Sequence, residues 1–395
     1  MARGPKAMVQ PKVLYWLRTT SGLTIEEAAR KLQTKPANLA AWEKGDDRPS
    51  MPQLRKLAKA FKRPISYFFL PEPVEEPSIP HDFRRLPNAE DRRYSPALLY
   101  EIRTTYRRRS LALDLAKKTT HRIPAFECLG TVSVDDNPEL VGQRLRDVVN
   151  LTFDEQSRWR TARSAYNGWR QHIEDLGVLV FQITSVDRSQ MLGFSLAYRE
   201  LPVIGVNRKN QPNGRTFTML HEFAHLMLGK SGICDIDESM PRAASEQRVE
   251  VFCNHVAGAA MVPRRELFAH RLVAAQGTRT EDWDDDIISV LARDFCASEE
   301  AIVRRLLITH LTTPEFYTSK RAEYQARNAQ LARQERVQAN DNFGRNMARE
   351  AVSNLSTFAR IVIESYHSDI INLSEASKHL GVRAEKVATV DSLIR

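Results

Sequence analysis

Two histidines and a glutamate interrupt an apolar stretch near the middle of the chain. His221, Glu222 and His225 form the pattern H-E-x-x-H inside the segment TFTMLHEFAHLMLGK, residues 216–230. Residues four apart share one face of a helix, where their Cβ atoms are roughly 5–6 Å apart. Both imidazoles can therefore bind one ion at a zinc–nitrogen distance of about 2.0–2.1 Å. Glu222 lies one position further round, where its carboxylate can polarise a zinc-bound water without binding the metal itself.

The alternative interpretation is that both histidines are core residues with ordinary hydrogen-bond partners. The residues around them make the helix apolar nearly all round, which predicts that the helix is buried. These residues are Met219, Leu220, Phe223, Ala224, Leu226, Met227 and Leu228. Two buried imidazoles without a partner would be costly, because their hydrogen bonds to water are lost. The sequence therefore favours a metal site over a purely structural pair.

A third protein ligand is needed, because a catalytic zinc site has three protein ligands and one open position for water. The next helical segment, residues 245–263, offers three candidates. Glu250 lies on a stripe that continues through Asn254, whereas Glu246 lies one turn earlier. His255 is the weakest candidate because it points away from that stripe. The spacing alone leaves these three alternatives open.

The composition excludes several classes of protein. The 395 residues are 42% hydrophobic and 27% charged, which is typical of a folded chain with two or three domains. No segment approaches the roughly 18 apolar residues that cross a membrane, and no apolar signal core follows the basic N-terminus. The four cysteines form no C-x-x-C pair, which suits a reducing compartment. We therefore expect a cytoplasmic protein that does not bind membranes, and its net charge of +9 is compatible with a polyanionic partner.

The N-terminal residues 9–70 have the spacing of a helix-turn-helix bundle of five helices. Thr24 and Glu27 form a capping box at one helix start. The next helix begins near Lys35 and leaves Lys35, Asn38 and Lys44 pointing outward. A helical packing module that touches no DNA is the alternative interpretation of the same pattern.

This module resembles the XRE family of Cro- and lambda-repressor-like DNA-binding domains. The resemblance rests on the element W-E-x-G, formed here by Trp42, Glu43 and Gly45. It implies that the helix beginning near Lys35 enters the major groove of double-stranded operator DNA. There an asparagine suits adenine and a lysine suits guanine, which makes Lys35, Asn38 and Lys44 the candidate DNA contacts.

The segment from residue 176 to residue 263 resembles the ImmA/IrrE family of zinc metallopeptidases. The resemblance rests on the H-E-x-x-H helix and on the element E-x-x-A/C-N, which falls on Glu250, Cys253 and Asn254. It implies that Glu250 is the third ligand of Zn²⁺, with Mn²⁺ as the alternative ion. It also implies that Glu222 is the general base for hydrolysis of a peptide bond.

Three details of this segment have more than one interpretation. Phe252 stands where family members often have an acidic residue, which leaves the polar surroundings of the site open. Cys253 is interpreted as a small buried hydrophobe rather than a ligand or redox switch. Asn254 either orients a ligand or is an ordinary surface amide. The strand LPVIGVN, residues 201–207, is expected from the resemblance to be a sheet edge that pairs with an extended substrate.

The predicted fold is mainly α-helical with a small β-sheet, an α+β architecture. Short apolar runs predict strands within residues 177–183, 191–198 and 201–207. Residues 71–94 are rich in proline and glutamate and are predicted to be a linker. Residues 95–310 are expected to form a zincin-like metallopeptidase domain with its zinc core at about 176–265. Residues 311–395 form a helical region, interpreted as a sensor or dimerisation element.

The predicted function is that of a DNA-binding zinc metalloendopeptidase that regulates transcription. The resemblance implies that its substrate is a partner regulator, such as a transcriptional repressor or a toxin–antitoxin protein. A homodimer is left open. One alternative is a non-proteolytic DNA-binding regulator or antitoxin that uses the metallopeptidase fold as a sensor or partner platform. Another is a hydrolase with a non-peptide substrate.

Overall fold

The structure is a computed structural model of the 395-residue chain, and its described residues form two compact units. Residues 5–77, 79–82, 94–119, 123–234, 243–276, 282–338 and 346–394 are described. One unit comprises Met1–Ile79 and Asn88–Arg107, and the larger unit comprises Pro80–Pro87 and Arg108–Arg395. Half of the linker predicted at 71–94 falls outside the described residues, namely 78 and 83–93.

The smaller unit is a helical bundle, as the sequence predicts. It contains α1 (Pro11–Thr20), α2 (Ile25–Leu32), α3 (Pro36–Lys44), α4 (Met51–Ala60), a 3-10 helix (Ile65–Phe69) and the first part of α5 (Pro96–Lys118). The fifth helix of the predicted bundle is therefore the 3-10 helix. The core is apolar and includes Leu14, Leu17, Ala28, Leu39, Trp42, Leu54, Leu57 and Phe61.

The turn between α2 and α3 follows from local backbone chemistry. Thr24 and Glu27 form the predicted capping box at the start of α2, with hydrogen bonds of 3.1 and 2.9 Å. Gln33 ends α2 in the left-handed region, with φ at 55°, and Lys35 is the residue that precedes α3. The side chains of Lys35, Asn38 and Lys44 are exposed, as predicted.

A mixed five-stranded sheet is the centre of the larger unit within the described residues. Its strands are β1 (His81–Asp82), β2 (Leu179–Ile183), β3 (Gly193–Leu196), β4 (Val203–Asn207) and β5 (Gly232–Cys234), in the order β1-β5-β3-β4-β2. Strand β4 runs parallel to β2 and antiparallel to β3, and β3 is antiparallel to β5. The three predicted strands are confirmed, and all residues of β2, β3 and β4 are buried.

The expectation that LPVIGVN forms a sheet edge is wrong. These residues contain β4, which pairs with β2 on one side and with β3 on the other. Their backbone groups already form ladder hydrogen bonds with both neighbours, so β4 cannot pair with an extended peptide. Proximity to the H-E-x-x-H helix in sequence therefore did not indicate an edge position.

Besides the sheet, the described part of the larger unit contains helices. In chain order they are α6 (Pro138–Val148), α7 (Phe153–Ser157), α8 (Ala162–Asp175), α9 (Pro212–Met227), α10 (Ala244–Met261), α11 (Arg264–Ala269), α12 (Arg271–Gln276), α13 (Asp285–Asp294), α14 (Glu299–Ile308), α15 (Pro314–Gln338), α16 (Met347–Leu355), α17 (Thr357–His367), α18 (Leu373–Leu380), a 3-10 helix (Ala384–Lys386) and α19 (Val387–Ile394). None of the described helices combines the length and apolar character that crossing a bilayer requires.

Helix α9 is enclosed on several sides, because it packs on β3, β4, α8 and α10. Helix α10 packs in turn against α6, and a glycine brings their backbones together. A Cβ at Gly142 of α6 would lie 2.5 Å from the Cβ of Ala259 in α10. The absence of a side chain at Gly142 therefore sets how closely α10 is held.

A partly buried cluster of charges also fixes α10. Arg305 of α14 is 1% exposed and donates through Nη2 to Oε2 of Glu139 in α6, at 3.0 Å. Nε2 of His255 in α10 lies 2.7 Å from Oε1 of the same carboxylate. Burial favours a neutral Glu139, but the hydrogen bonds from His255 and Arg305 prevail and lower its pKa to about 2.

We expect a Glu139→Gln variant to be less stable than the wild type at neutral pH. The folded-state pKa is below that of the unfolded chain, so ionised Glu139 stabilises the fold fully above about pH 4.5. This contribution is lost as the pH falls towards 2. Removing the carboxylate charge that pairs with the buried Arg305 should lower the free energy of unfolding by about 1–3 kcal/mol at pH 7.

Urea unfolding followed by circular dichroism at pH 7 and pH 3 measures this effect. Glu315→Gln, which changes an exposed glutamate of α15, is the matched control and should leave the midpoint nearly unchanged. If Glu139→Gln lowered the free energy of unfolding equally at both pH values, the stabilisation could not be assigned to the ionised carboxylate.

Candidate metal centre

Helix α9 places the two histidines of H-E-x-x-H side by side. Every residue from Thr218 to Met227 is buried. The ring centroids of His221 and His225 are 4.9 Å apart, and their Nε2 atoms are separated by 3.2 Å. One helical turn between the two residues thus directs both nitrogens to the same point, as the sequence predicts.

Glu250 reaches the same point from α10. Its Oε1 lies 3.1 Å from Nε2 of His225, and its Oε2 lies 3.5 Å from Nε2 of His221. The ligand atoms of the three residues all lie within 4.8 Å of one another. Among the described residues, this is the only group of three metal-ligating side chains found. His221, Glu222, His225 and Glu250 are each 0% exposed.

The other candidates for the third ligand lie elsewhere. His255 points to Glu139, as described above, and belongs to the charge cluster that fixes α10. Glu246 lies one turn before Glu250 and is not part of the metal-ligating group. The position that the family resemblance implied, Glu250, is the one that meets both histidines.

Asn254 orients His221. Its Oδ1 lies 2.9 Å from Nδ1 of His221, and an amide oxygen only accepts hydrogen bonds. Nδ1 therefore carries the ring proton, which leaves the lone pair of Nε2 directed at His225 and Glu250. Of the two interpretations of Asn254, the structure supports the orienting residue, because the amide is buried rather than exposed.

The protonation equilibria of the cluster favour an ionised carboxylate. Burial alone raises the pKa of Glu250, but the two imidazoles outweigh it and hold the pKa well below its usual range. Burial lowers the pKa of His225, which keeps that ring neutral. Burial also opposes protonation of His221, yet Glu250 and Glu222 raise the pKa of this ring above its ordinary value.

This donor set fits a divalent cation. Two imidazole nitrogens and one carboxylate are the protein ligands of one class of catalytic zinc sites. Asn254 supplies the hydrogen bond to the second ring nitrogen that ligating histidines almost always make. A buried carboxylate that stays ionised needs a positive partner, and a cation between the three donor atoms would provide it.

Glu222 lies against the backbone of strand β3. A Cβ at Gly193 would lie 2.5 Å from Oε1 of Glu222 and 2.6 Å from Cγ2 of Thr218. Only glycine leaves room for this carboxylate, so Gly193 belongs to the site although the sequence analysis missed it. A glycine inside a predicted strand is a signal for close approach and could have indicated it.

Cys253 and Phe252 are apolar packing residues. The Cys253 thiol is completely buried and is not part of the metal-ligating group. Burial raises its pKa well above the ordinary value, which keeps the thiol protonated and unreactive. Phe252, at the position where an acidic residue is frequent in the family, is also buried in the core.

The helix-turn-helix has its own buried ion pair. Arg18 of α1 donates to both carboxylate oxygens of Glu43 in α3, at 2.7 and 2.9 Å. Glu43 of the W-E-x-G element therefore fixes α3 against α1, and Arg18 is a structural partner that the sequence analysis missed. On the outer surface, the amide of Asn38 donates to the Thr34 hydroxyl at 3.1 Å.

Two families match the chain. Residues 173–307 match the IrrE N-terminal-like domain of the Peptidase M78 family, and residues 14–68 match a helix-turn-helix family. A search of curated proteins found no match. The chain therefore carries an IrrE N-terminal-like domain, which contains the buried cluster, and an N-terminal helix-turn-helix domain of the XRE type. Both resemblances drawn from the sequence are confirmed.

We expect Asn254→Ala to weaken metal binding about 10- to 100-fold, because His221 loses the hydrogen bond that sets its tautomer. Asn254→Asp, which keeps an accepting oxygen, should restore most of the affinity. Competition between metal-free protein and a chromophoric chelator measures the dissociation constant. Equal affinity in the wild type and Asn254→Ala would show that the amide does not orient a ligand.

Proposed function

We propose that this protein is a DNA-binding zinc metalloendopeptidase that regulates transcription by cleaving a partner regulator or repressor. The observation that carries the proposal is the convergence of His221, His225 and Glu250, with Glu222 next in sequence, in a chain that also has a helix-turn-helix domain. A site without catalytic function would have no need of an acid beside the ligands.

The residues proposed to hold the metal are His221, His225 and Glu250. Zn²⁺ is the proposed ion because two imidazoles and a carboxylate match its catalytic sites, and Mn²⁺ is the alternative. When bound, the ion would supply Lewis-acid activation of water and of the scissile carbonyl group.

Glu222 is the proposed general base. Its carboxylate would accept a proton from the attacking water and hold it until the leaving amine requires it. The burial of Glu222 against Gly193 limits its rotation and excludes bulk water from its surroundings. Proton transfer would therefore occur at a fixed position rather than through solvent.

The complete burial of the four side chains adds a condition. A peptide cannot reach them in this closed arrangement, so cleavage requires the site to open. We therefore propose that the peptidase is latent until a signal or substrate opens it. The same burial favours the second candidate function, a non-proteolytic regulator or antitoxin in which the metal only stabilises a sensing domain.

The proposed DNA-binding residues are Lys35, Asn38 and Lys44. Asn38 and Lys44 belong to α3, and Lys35 directly precedes it. Helix α3 is the second helix of the helix-turn-helix, which is the recognition helix of such domains. Binding near a DNA-bound regulator would raise the effective concentration of the peptidase at its proposed substrate. Candidate substrates are a transcriptional repressor or a toxin–antitoxin partner.

A Glu222→Gln variant should separate the two candidate functions. General-base catalysis contributes about 10²- to 10⁴-fold, so cleavage of a partner should fall by that factor while metal content stays constant. His225→Ala is the matched comparison and should lose both metal and cleavage. Mass spectrometry of new N-termini in cells that express each variant identifies the cleaved protein. If Glu222→Gln regulates transcription as the wild type does, the non-proteolytic candidate replaces the peptidase.

Lys35→Gln and Lys44→Gln should weaken DNA binding and reduce its dependence on salt. Each lost phosphate contact should lower the slope of log affinity against log salt by about 1. If the Asn38 amide contacts an adenine, Asn38→Ala should weaken the binding free energy by about 1–3 kcal/mol, and only for duplexes with adenine at that position. The measurement is fluorescence anisotropy with a selected duplex, and Lys386→Gln, exposed near the C-terminus, is the control. Unchanged affinity for DNA in all three variants would exclude this face of α3 as the DNA-binding surface.

A further inference from the structure

A polar cavity lies in the larger unit, formed by α8, the α16–α17 junction and α19. Its volume is about 440 Å³, within the range of sites for small organic ligands. None of its lining residues belongs to the candidate metal centre. The cavity thus requires an explanation of its own.

The lining carries an excess of positive charge. Arg163 and Arg170 of α8 and Arg349 of α16 line it, with Glu174 as the one acidic lining residue. Arg170 donates through Nε to Glu174 at 3.0 Å, so the carboxylate is already neutralised. Arg163 and Arg349 are exposed, and among the described residues neither guanidinium forms an ion pair.

The wall of the cavity is held in place by buried hydrogen bonds. The carbonyl oxygen of Ser353 accepts from Arg170 and, at 2.7 Å, from Nε2 of Gln182 in β2. Ser356, between α16 and α17, has φ 38° and ψ −112°, a backbone conformation that is unfavourable for a residue with a side chain. Its hydroxyl donates to Glu174. Such strained residues cluster at ligand sites, where the surroundings hold them in place.

We propose that this cavity binds a small organic phosphate of about the size of a nucleoside monophosphate. The two unpaired guanidinium groups suit a phosphate dianion, because each offers paired N–H donors that match two phosphate oxygens. Asn167 and Gln171 present amides for hydroxyl groups or a base edge, and Val352 and Leu393 supply apolar contact for a ring. Because Arg170 is paired with Glu174, the net positive charge of the lining comes from Arg163 and Arg349.

Binding to this cavity requires neither the metal nor DNA. Ligand binding at this cavity would therefore be independent of the proposed peptidase and DNA-binding activities. It gives the C-terminal helices, which had no assigned ligand, a part in forming a binding site.

Isothermal titration calorimetry of the full-length protein, with adenosine monophosphate and separately with pyrophosphate, tests the proposal. We expect saturable binding with one site per chain. Arg163→Gln and Arg349→Gln should each weaken it about tenfold or more, the loss of one charge-assisted contact, and the double variant should show no measurable binding. Tighter binding of adenosine monophosphate than of pyrophosphate would support an organic phosphate as the ligand, and the reverse would overturn it in favour of an inorganic phosphate.

Two controls make the result specific. Arg271→Gln removes the same charge from an exposed arginine of α12 that does not line the cavity, and it should bind like the wild type. Lys386→Gln, which removes another exposed cation that does not line the cavity, should also bind like the wild type. The proposal is overturned if neither phosphate binds saturably, if the double variant retains wild-type affinity, or if citrate binds more tightly than both phosphates.

Discussion

The ionised carboxylate of Glu250, buried between two imidazoles, is the constraint on which the site depends. A buried charge without solvent is costly, and the nearest groups to this one are the Nε2 atoms of His225 and His221, at 3.1 and 3.5 Å, with which it can share a cation. This arrangement requires α9 and α10 to lie side by side in a fixed register. Gly142 and the Arg305–Glu139–His255 cluster hold α10 from its other side. The packing of α6, α10 and α14 is therefore part of the geometry of the candidate metal centre.

The sequence predicted what depends on local periodicity. The H-E-x-x-H spacing determines where two imidazoles lie on a helix, and apolar flanks determine that the helix is buried. The capping box of α2 is equally local. The third ligand could not be predicted from local spacing, because the spacing along α10 allowed Glu246, Glu250 and His255. Which of them faces α9 depends on how two helices pack, and only the family resemblance indicated Glu250.

The interactions that the sequence analysis missed connect residues distant in the chain. Gly193 and Glu222 meet because a strand crosses a helix, and Arg18 and Glu43 meet because α1 packs on α3. The order of the strands was also inaccessible, since β4 follows β3 in sequence yet lies between β3 and β2. Apolar runs indicate that a strand is buried but do not identify its neighbours. Each of these contacts and the strand order depend on tertiary packing, which local sequence propensity does not determine.

The central claim is that the buried cluster binds one metal ion through nitrogen and oxygen atoms. X-ray absorption spectroscopy of the purified full-length protein, combined with metal analysis, tests it most directly. The account predicts one zinc or manganese ion per chain, with two imidazoles and a carboxylate in its coordination shell and no sulfur. A protein that stays metal-free when supplied with both ions, or a spectrum dominated by cysteine sulfur, would contradict it.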